Sequence, residues 1–563
     1  MKVVIIGGVA GGATAAARLR RLDESAQIVV LERGGYVSYA NCGLPYYIGG
    51  VIKERAKLTL QTPESFKNRF NVDVRVHSEA TKILPAEKKV CVRDLKSGKE
   101  YFESYDKLVY SPGAKAVVPP FVAKSERVFT LRTVEDTFRI DDFVGQKDPK
   151  SALVIGGGFI GLETAENLVH RGIAVTLVQL EEQVMPPFDY DMACILHAKI
   201  REKGIRLLLK SKVTALDEAD GGVVAQIEGK ESVRADMALL AVGVVPETSL
   251  AAEAGLALGI KGAVVTDAHM RTSDPDIYAV GDAVQVSNFV TGAAALVPLA
   301  GPANKQGRIA ADNIAGIPSV FKGSQGSSVM KLFELTAAAT GLNERAALQA
   351  GIDADSVVLF SPDHATYYPG ATNMTLKVLF GRADGKILGA QCVGFGGTEK
   401  RIDVIATAIR AGMTAKDFTE LDLCYAPPYS SAKDPVNMAG YVIGNLTEGR
   451  VRQHTWKDMP RIVAEKDAVL LDVQTRAEFA GAHFEGAVNI PVDELRANLS
   501  ALDKNKMYYV NCFSGLRSYI ACRILAANGF RCSNFAGGMR FYRIVAGEPF
   551  DGTPRYLCGM KAD

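Results

Sequence analysis

The sequence predicts a multidomain α/β protein built on parallel sheets. Three observations lead there. Short apolar strands alternate with helical stretches through most of the chain. One plan of strand, glycine-rich turn, helix and strand occurs twice, at 2–32 and 151–179. The character of the sequence then changes near residue 325 and again after Ile443. At 563 residues the chain is long enough for about three or four domains. It has 48% hydrophobic and 23% charged residues, an ordinary globular balance. A net charge of +2 gives no electrostatic drive towards nucleic acid or an anionic membrane. No apolar run approaches the ~18 residues of a membrane span. No charged leader precedes the first strand, so no secretory signal and a cytoplasmic location are expected. The nine cysteines show no metal-type close pairing, so no metal site is expected.

The first copy of the plan opens with Lys2-Val3-Val4-Ile5-Ile6 and turns through Gly7-Gly8-Val9-Ala10-Gly11-Gly12. Glycines there let the backbone approach a pyrophosphate, whose charge the following helix N-terminus favours. Glu32, with Arg33 after it, closes the next strand at the place where a carboxylate grips ribose hydroxyls. Val9 stands where the usual pattern has its middle glycine. The second copy, Gly156-Gly157-Gly158-Phe159-Ile160-Gly161, carries the full G-x-G-x-x-G pattern and leads into Glu163. Its second strand ends at Gln179, and no Lys or Arg lies between Thr176 and Gln183 to meet a 2′-phosphate. NADH is therefore expected ahead of NADPH, with NADPH still possible. A third feature is the string Thr272-Ser273-Asp274-Pro275-Asp276-Ile277-Tyr278-Ala279-Val280-Gly281-Asp282, a strand ending on a carboxylate.

Together these features resemble the pyridine nucleotide–disulfide oxidoreductase family over about residues 1–445. The resemblance implies FAD in the first unit and NADH in the second, with Asp282 on the flavin ribityl chain. It places Ser111, Pro112, Gly113 and Gly243 in the crossovers between the two domains, and adds Asn41, Pro298 and Leu299 to the cofactor contacts. Family members with an internal disulfide carry two cysteines four apart. Here Ser38-Tyr39-Ala40-Asn41-Cys42-Gly43-Leu44-Pro45 has serine at that position. A lone thiol can hold an oxidising equivalent only as a mixed disulfide, a persulfide or a sulfenic acid. Its reduced form is expected as a thiolate, favoured by the flavin and the nearby helix start.

The Ser-x-x-Asn-Cys-Gly-Leu-Pro-Tyr string resembles coenzyme A–disulfide reductases and NADH persulfide reductases. That resemblance implies a Cys42–S–S–CoA resting state. It implies CoA contacts at Thr14, Arg18, Arg21, Ser38 and Asn41, with Arg308 and Lys433 as further ones; arginines suit the phosphates of CoA. It also implies a homodimer in which Tyr367 and Tyr425 come from the partner subunit, face the reacting sulfur and donate to a leaving thiolate. Segments 329–335 and 375–381 read as strands, and 400–411 as a helix, of a mixed domain.

The polar string Asn445-Leu446-Thr447-Glu448-Gly449-Arg450 reads as a linker. Beyond it, Leu471-Asp472-Val473, Arg476, Glu478, Gly486-Ala487-Val488-Asn489-Ile490-Pro491 and Cys512-Phe513-Ser514-Gly515-Leu516-Arg517-Ser518 resemble a rhodanese domain. The loop after Asn511 joins a strand to a helix N-terminus. Its backbone N–H groups and Arg517 would lower the Cys512 thiol pKa and hold a persulfide. An anion-holding, phosphatase-like use is the alternative, though the loop length fits the sulfurtransferase form. Cys91, Cys194 and Cys392 read as structural; Cys522, Cys532 and Cys558 carry no motif.

The expected architecture is α/β: two Rossmann-like dinucleotide-binding domains, an α+β dimerisation domain and a C-terminal α/β rhodanese domain. The boundaries are 1–112 with 243–322 for FAD, 113–242 for NADH, 323–445 for dimerisation, 446–454 as linker and 455–563 for rhodanese. The expected activity is NADH-dependent reduction of CoA disulfide, CoA persulfide or inorganic polysulfide through Cys42, with sulfane sulfur handled at Cys512. Two alternatives remain open: an NADH oxidase cycling Cys42 through sulfenic acid, and a protein that is mainly a sulfurtransferase.

Overall fold

The computed structural model describes residues 1–465 and 467–547. The end of the expected rhodanese domain, from 548 on, and Cys558 lie outside the described residues. The chain forms two compact units, Met1–Glu182 with Gly204–Gly326, and Gln183–Lys203 with the chain from Ser327 on. Among the described residues, no helix is long and apolar enough to cross a membrane.

The first unit contains two five-stranded parallel sheets. One runs Ile277–Ala279, Lys107–Tyr110, Lys2–Ile6, Gln27–Leu31, Asp73–Arg75. The other runs Val128–Thr130, Met237–Leu240, Ser151–Ile155, Ala174–Val178, Arg206–Leu208. The central strands are continuous apolar runs because parallel sheets are covered on both faces; Val3, Val4 and Ile5 are fully buried. Each sheet also has an antiparallel three-stranded meander beside it in sequence: Ser78–Leu84, Lys89–Asp94 and Glu100–Ser104, then Val213–Ala219, Gly222–Ile227 and Val233–Ala235. The internal repeat is thus longer than the glycine turns alone disclose. The crossings at Ala114–Ala116 and Val244–Pro246 pair antiparallel.

One arginine of the first helix, Ala10–Leu22, is structural. Arg20 is 5% exposed and donates to the carbonyls of Phe70, Asp23, Glu24, Ala26 and Asn71. Carbonyl dipoles compensate the buried guanidinium, which would otherwise be costly to desolvate.

In the second unit an antiparallel sheet runs Ser328–Leu332, Leu335–Gly341, Ile387–Gly394, Asn373–Gly381, Ala354–Pro362, with the helix Thr398–Ala411 against it. Segment 375–381 is a strand and 400–411 helical, as expected. Segment 329–335 is not one strand. A two-residue turn at Phe333-Glu334 splits it, with Phe333 at φ 54°. Hairpin turns of this kind are announced by Asn-Gly or Asp-Gly, and neither is present. The expected linker also begins later than the polar string implies. The helix Pro435–Thr447 continues through Asn445-Leu446-Thr447, with the Thr447 hydroxyl bonded back to the Ile443 carbonyl. The last sheet is fully parallel: Gln453–His454, Arg531–Phe535, Met507–Asn511, Ala468–Asp472, Val488–Asn489.

Candidate active site

The first glycine turn is built by close packing. Gly7 has φ +93°, and a Cβ there would lie 2.1 Å from the Ser111 carbonyl oxygen. A Cβ on Gly12 would lie 1.9 Å from the Gly7 carbonyl oxygen. The second turn repeats both constraints at Gly156 and Gly161. The middle position differs in kind. Val9 has φ −104° and Gly158 φ −83°, so neither position needs the left-handed region that favours glycine.

The carboxylate of Glu32 accepts the N–H groups of Gly8 (2.9 Å) and Gly34 (2.8 Å). Burial raises its pKa, and these two amides oppose the rise. The equivalent contact recurs in the second unit, where Gln179 Oε1 accepts the Gly157 N–H at 2.8 Å. Here a neutral carboxamide takes the place of the carboxylate.

A cleft of about 710 Å³ opens over the first turn. Of the expected cofactor residues, Gly7, Val9, Ala10, Gly11, Glu32, Arg33, Asn41, Ser111, Pro112, Gly113, Gly281, Asp282, Pro298 and Leu299 line it. Gly8 and Gly12 lie beneath it, both buried. An adjoining hollow shares Gly7, Glu32, Arg33 and Pro112 and runs on to Ser78 and Glu247. One lining residue was not legible in the sequence. Arg132 pairs with Asp282 and donates from Nε to the Ala114 carbonyl at 3.1 Å. It has no motif around it.

Cys42 opens onto this cleft together with Ser38 and Thr14. It sits in a single 3₁₀ turn, Asn41–Gly43, that runs into the short helix Leu44–Ile48. Ser38 has φ 46° and donates its N–H to the Gly8 carbonyl, which ties the thiol loop to the glycine turn. The polypeptide itself does not favour the thiolate as the helix start had suggested. Burial raises the Cys42 pKa, the Glu163 carboxylate raises it further, and Arg132 opposes both. Burial also pushes Glu163 up to about 7, against a hydrogen bond from the Tyr46 hydroxyl at 3.4 Å. The expected CoA arginines stand apart: Arg18 pairs with Asp312 at 2.7 Å, Arg21 and Arg308 are exposed, and none of the three lines the cleft. Thr14 donates to Asn304 at 2.7 Å.

In the second unit Tyr367 and Tyr425 are exposed, and their hydroxyls lie 2.7 Å apart. That hydrogen bond raises the Tyr367 pKa. Arg401, 1% exposed, ties their two loops together. It donates to the Asp363 carbonyl (3.0 Å), the Ser430 hydroxyl (3.0 Å) and the Asp434 carboxylate (2.9 Å). Lys433, next to Asp434, is exposed.

Cys512 is fully buried at the head of its loop. Its sulfur accepts the Gly515 N–H at 3.1 Å and lies 3.3 Å from the Ser518 hydroxyl. Gly538 closes over the loop, where a Cβ would meet the Cys512 carbonyl oxygen at 2.5 Å. Arg517 is held in a fork by Glu478, at 2.7 and 2.9 Å, a pairing that fixes the guanidinium plane. Among the described residues, no cluster of side chains could hold a metal.

The pyridine nucleotide-disulphide oxidoreductase model matches residues 1–306. The chain belongs to that family. The family's dimerisation domain matches 327–435, and a rhodanese-like domain matches 455–543. The family binds FAD and NAD(H). A coenzyme A disulfide reductase of Staphylococcus haemolyticus (strain JCSC1435) is 36% identical over 448 residues, 79% of this chain and 100% of the relative. The crystal structure of reduced Bacillus anthracis CoADR-RHD superposes with a TM-score of 0.95 at 47% identity, covering 97% of this chain and 98% of that one. A NAD-dependent persulfide reductase from A. fulgidus superposes with a TM-score of 0.90 at 39% identity, covering 96% and 100%. The protein is a pyridine nucleotide–disulfide oxidoreductase carrying a rhodanese domain.

Proposed function

We propose that this enzyme uses NADH to reduce CoA persulfide, inorganic polysulfide or CoA disulfide through Cys42, which rests as a mixed disulfide with CoA. The observation that carries this reading is Cys42, with serine at the position four before it, opening onto the same cleft as the glycine turn and Asp282. The cleft residues fit FAD: Gly7 and Gly11 leave room for a pyrophosphate, Glu32 is held ready for a ribose, and Asp282 stands at a strand end. Gly7, Gly11, Glu32 and Asp282 would hold FAD, which would supply two-electron redox chemistry between NADH and sulfur. The Cys42 thiolate attacks the inner sulfur of CoA–S–SH and expels HS⁻, or attacks CoA disulfide and expels one CoA thiolate. Both leave Cys42–S–S–CoA, and two electrons with protons return Cys42 and CoA to thiols. Arg132 is the cationic side chain that favours the thiolate, while Glu163 works against it. Tyr367 and Tyr425 would serve the partner subunit's cysteine as hydrogen-bond donors in a homodimer. Arg308 and Lys433 are proposed for CoA phosphates lying outside the cleft, which neither residue lines. All eight described cysteines are free thiols, which suits the reducing cytoplasm as the working compartment.

The intact mass of the oxidised protein tests this. It should fall by one CoA on reduction, with the adduct localised to Cys42. An oxidised enzyme carrying no CoA, together with stoichiometric oxygen use, would transfer the reading to an NADH oxidase.

Sulfane sulfur is assigned to Cys512, whose sulfur accepts from Gly515 beside the Arg517–Glu478 fork. Cys512→Ser should spare reduction of CoA persulfide and slow polysulfide turnover by roughly tenfold or more. Equal loss on both substrates would remove the rhodanese domain from the sequence of steps.

Gln179 sets the nicotinamide preference in this reading. Gln179→Glu would place a carboxylate where a 2′-phosphate must sit. The ratio of kcat/KM for NADH over NADPH should rise about tenfold, a difference of ~1.4 kcal/mol. An unchanged ratio would dissociate Gln179 from the ribose.

A further inference from the structure

Two cysteines without any sequence motif meet in the rhodanese domain. Cys522 lies on the helix Leu516–Ala527 and is 1% exposed, while Cys532 lies on the strand Arg531–Phe535 and is half-buried. The helix packs on that strand. The Cys532 thiol donates to the Cys522 carbonyl oxygen at 3.3 Å, and its side chain packs against the apolar cluster that contains Cys522. Both are free.

The pair adjoins Cys512. Ser518, whose hydroxyl lies 3.3 Å from the Cys512 sulfur, is four residues before Cys522 and so lies on the same helix face. Cys512 and Cys522 share one hydrophobic cluster, with Cys532 packed against it. Four side chains thus form a row: Cys512, Ser518, Cys522, Cys532. The two thiols also differ in the way an attacking and a resolving thiol must. The hydrogen bond from Cys522 lowers the Cys532 pKa first, burial opposes it, and Arg523 and Arg452 add to the lowering. Burial raises Cys522.

We propose that Cys522 and Cys532 form a second, flavin-independent redox site, a dithiol that is oxidised to a disulfide by sulfane sulfur. The Cys532 thiolate attacks the outer sulfur of R–S–SH, forming Cys532–S–SH and releasing R–S⁻. The Cys522 sulfur then attacks the inner sulfur of that persulfide, forming the Cys522–Cys532 disulfide and releasing HS⁻. In total, R–S–SH and two cysteine thiols give R–SH, H₂S and one disulfide. The sulfane sulfur is reduced and the dithiol oxidised, and the thiol protons leave on R–SH and H₂S. A low-molecular-weight thiol, two per disulfide, reverses the oxidation. None of this rests on the flavin reading above.

The test uses the full chain as Cys42→Ser with Cys512→Ser, so that neither assigned sulfur site contributes, alongside the wild type. Each is treated anaerobically with sodium tetrasulfide without NADH, alkylated and digested with trypsin. The peptides 518–523 and 532–540 should become disulfide-linked, at least about tenfold above the untreated protein in both samples, and dithiothreitol should separate them. The wild-type measurement stands even if the double variant folds poorly. Separately alkylated Cys522 and Cys532, or sulfur added to Cys532 with no cross-link, would overturn the proposal and leave the pair as packing.

Discussion

Cys42→Ser should retain its flavin and its reduction by NADH, yet lose NADH-dependent sulfide release from CoA persulfide by roughly 10³ or more. A hydroxyl in that place cannot exchange with a sulfur–sulfur bond, and no second thiol stands four residues away to replace it, because that position is Ser38. The glycine turns, Glu32 and Asp282 are untouched by the change, so the hydride step should survive it. Anaerobic stopped-flow measurement separates the two steps: flavin bleaching by NADH should keep its rate, while reoxidation by substrate should vanish. Reoxidation within tenfold of wild type would mean that electrons leave the flavin by another route. The charges around the thiol sharpen this expectation. Burial and Glu163 both raise its pKa, and Arg132 is shared with Asp282. A flavin that stabilised the thiolate would make reactivity at Cys42 track flavin occupancy.

The two glycine turns were legible because their constraint is local. A Cβ on Gly12 or Gly161 would strike a carbonyl five residues earlier in the same turn, so the requirement is written in a short string. Cys42 and Cys512 stand out as candidates for a similar reason, each lying within a contiguous motif. The groups that support them were not. Arg132 reaches Asp282 across 150 residues, and Arg401 joins the loops of Tyr367 and Tyr425 through Asp363, Ser430 and Asp434. Cys522 and Cys532 meet only because a helix folds onto a strand. None of these contacts has a period or spacing that sequence could display. The turn at Phe333-Glu334 escaped for a different reason: the two-residue hairpin needs a positive φ at Phe333, a residue whose chemistry does not ask for it. Gln179 falls between the two cases. Its position at the strand end was visible, but its use as an acceptor for the Gly157 N–H was not.

Lys377→Met should destabilise the second unit by about 3–5 kcal/mol, because it leaves buried carboxylates without their cation. Lys377 lies on a strand whose residues are all buried and is itself 2% exposed. Its ammonium meets Asp191 at 2.9 Å, Asp189 at 3.1 Å and Glu344 at 2.8 Å. The same carboxylates receive the start of the rhodanese domain: Trp456 Nε1 donates to Asp191 at 3.2 Å, and Lys457 pairs with Glu344 at 2.6 Å. Burial disfavours ionised Glu344, but Lys377 and Lys457 outweigh it and hold the carboxyl at about 2. A carboxyl depressed in this way contributes stability above its ordinary value of 4.5 and loses it as pH falls towards 2. The gap between wild type and Lys377→Met should therefore be largest near neutral pH and should narrow as the pH falls and the carboxylates protonate, Asp189 first because burial raises its pKa. For a unit of this size the Tm at pH 7 should fall by roughly 6–20 °C. Trp456 is the protein's single tryptophan, so its emission reports this junction directly. A Tm lowered by less than about 2 °C, or a gap that widens in acid, would show that the three carboxylates do not depend on Lys377.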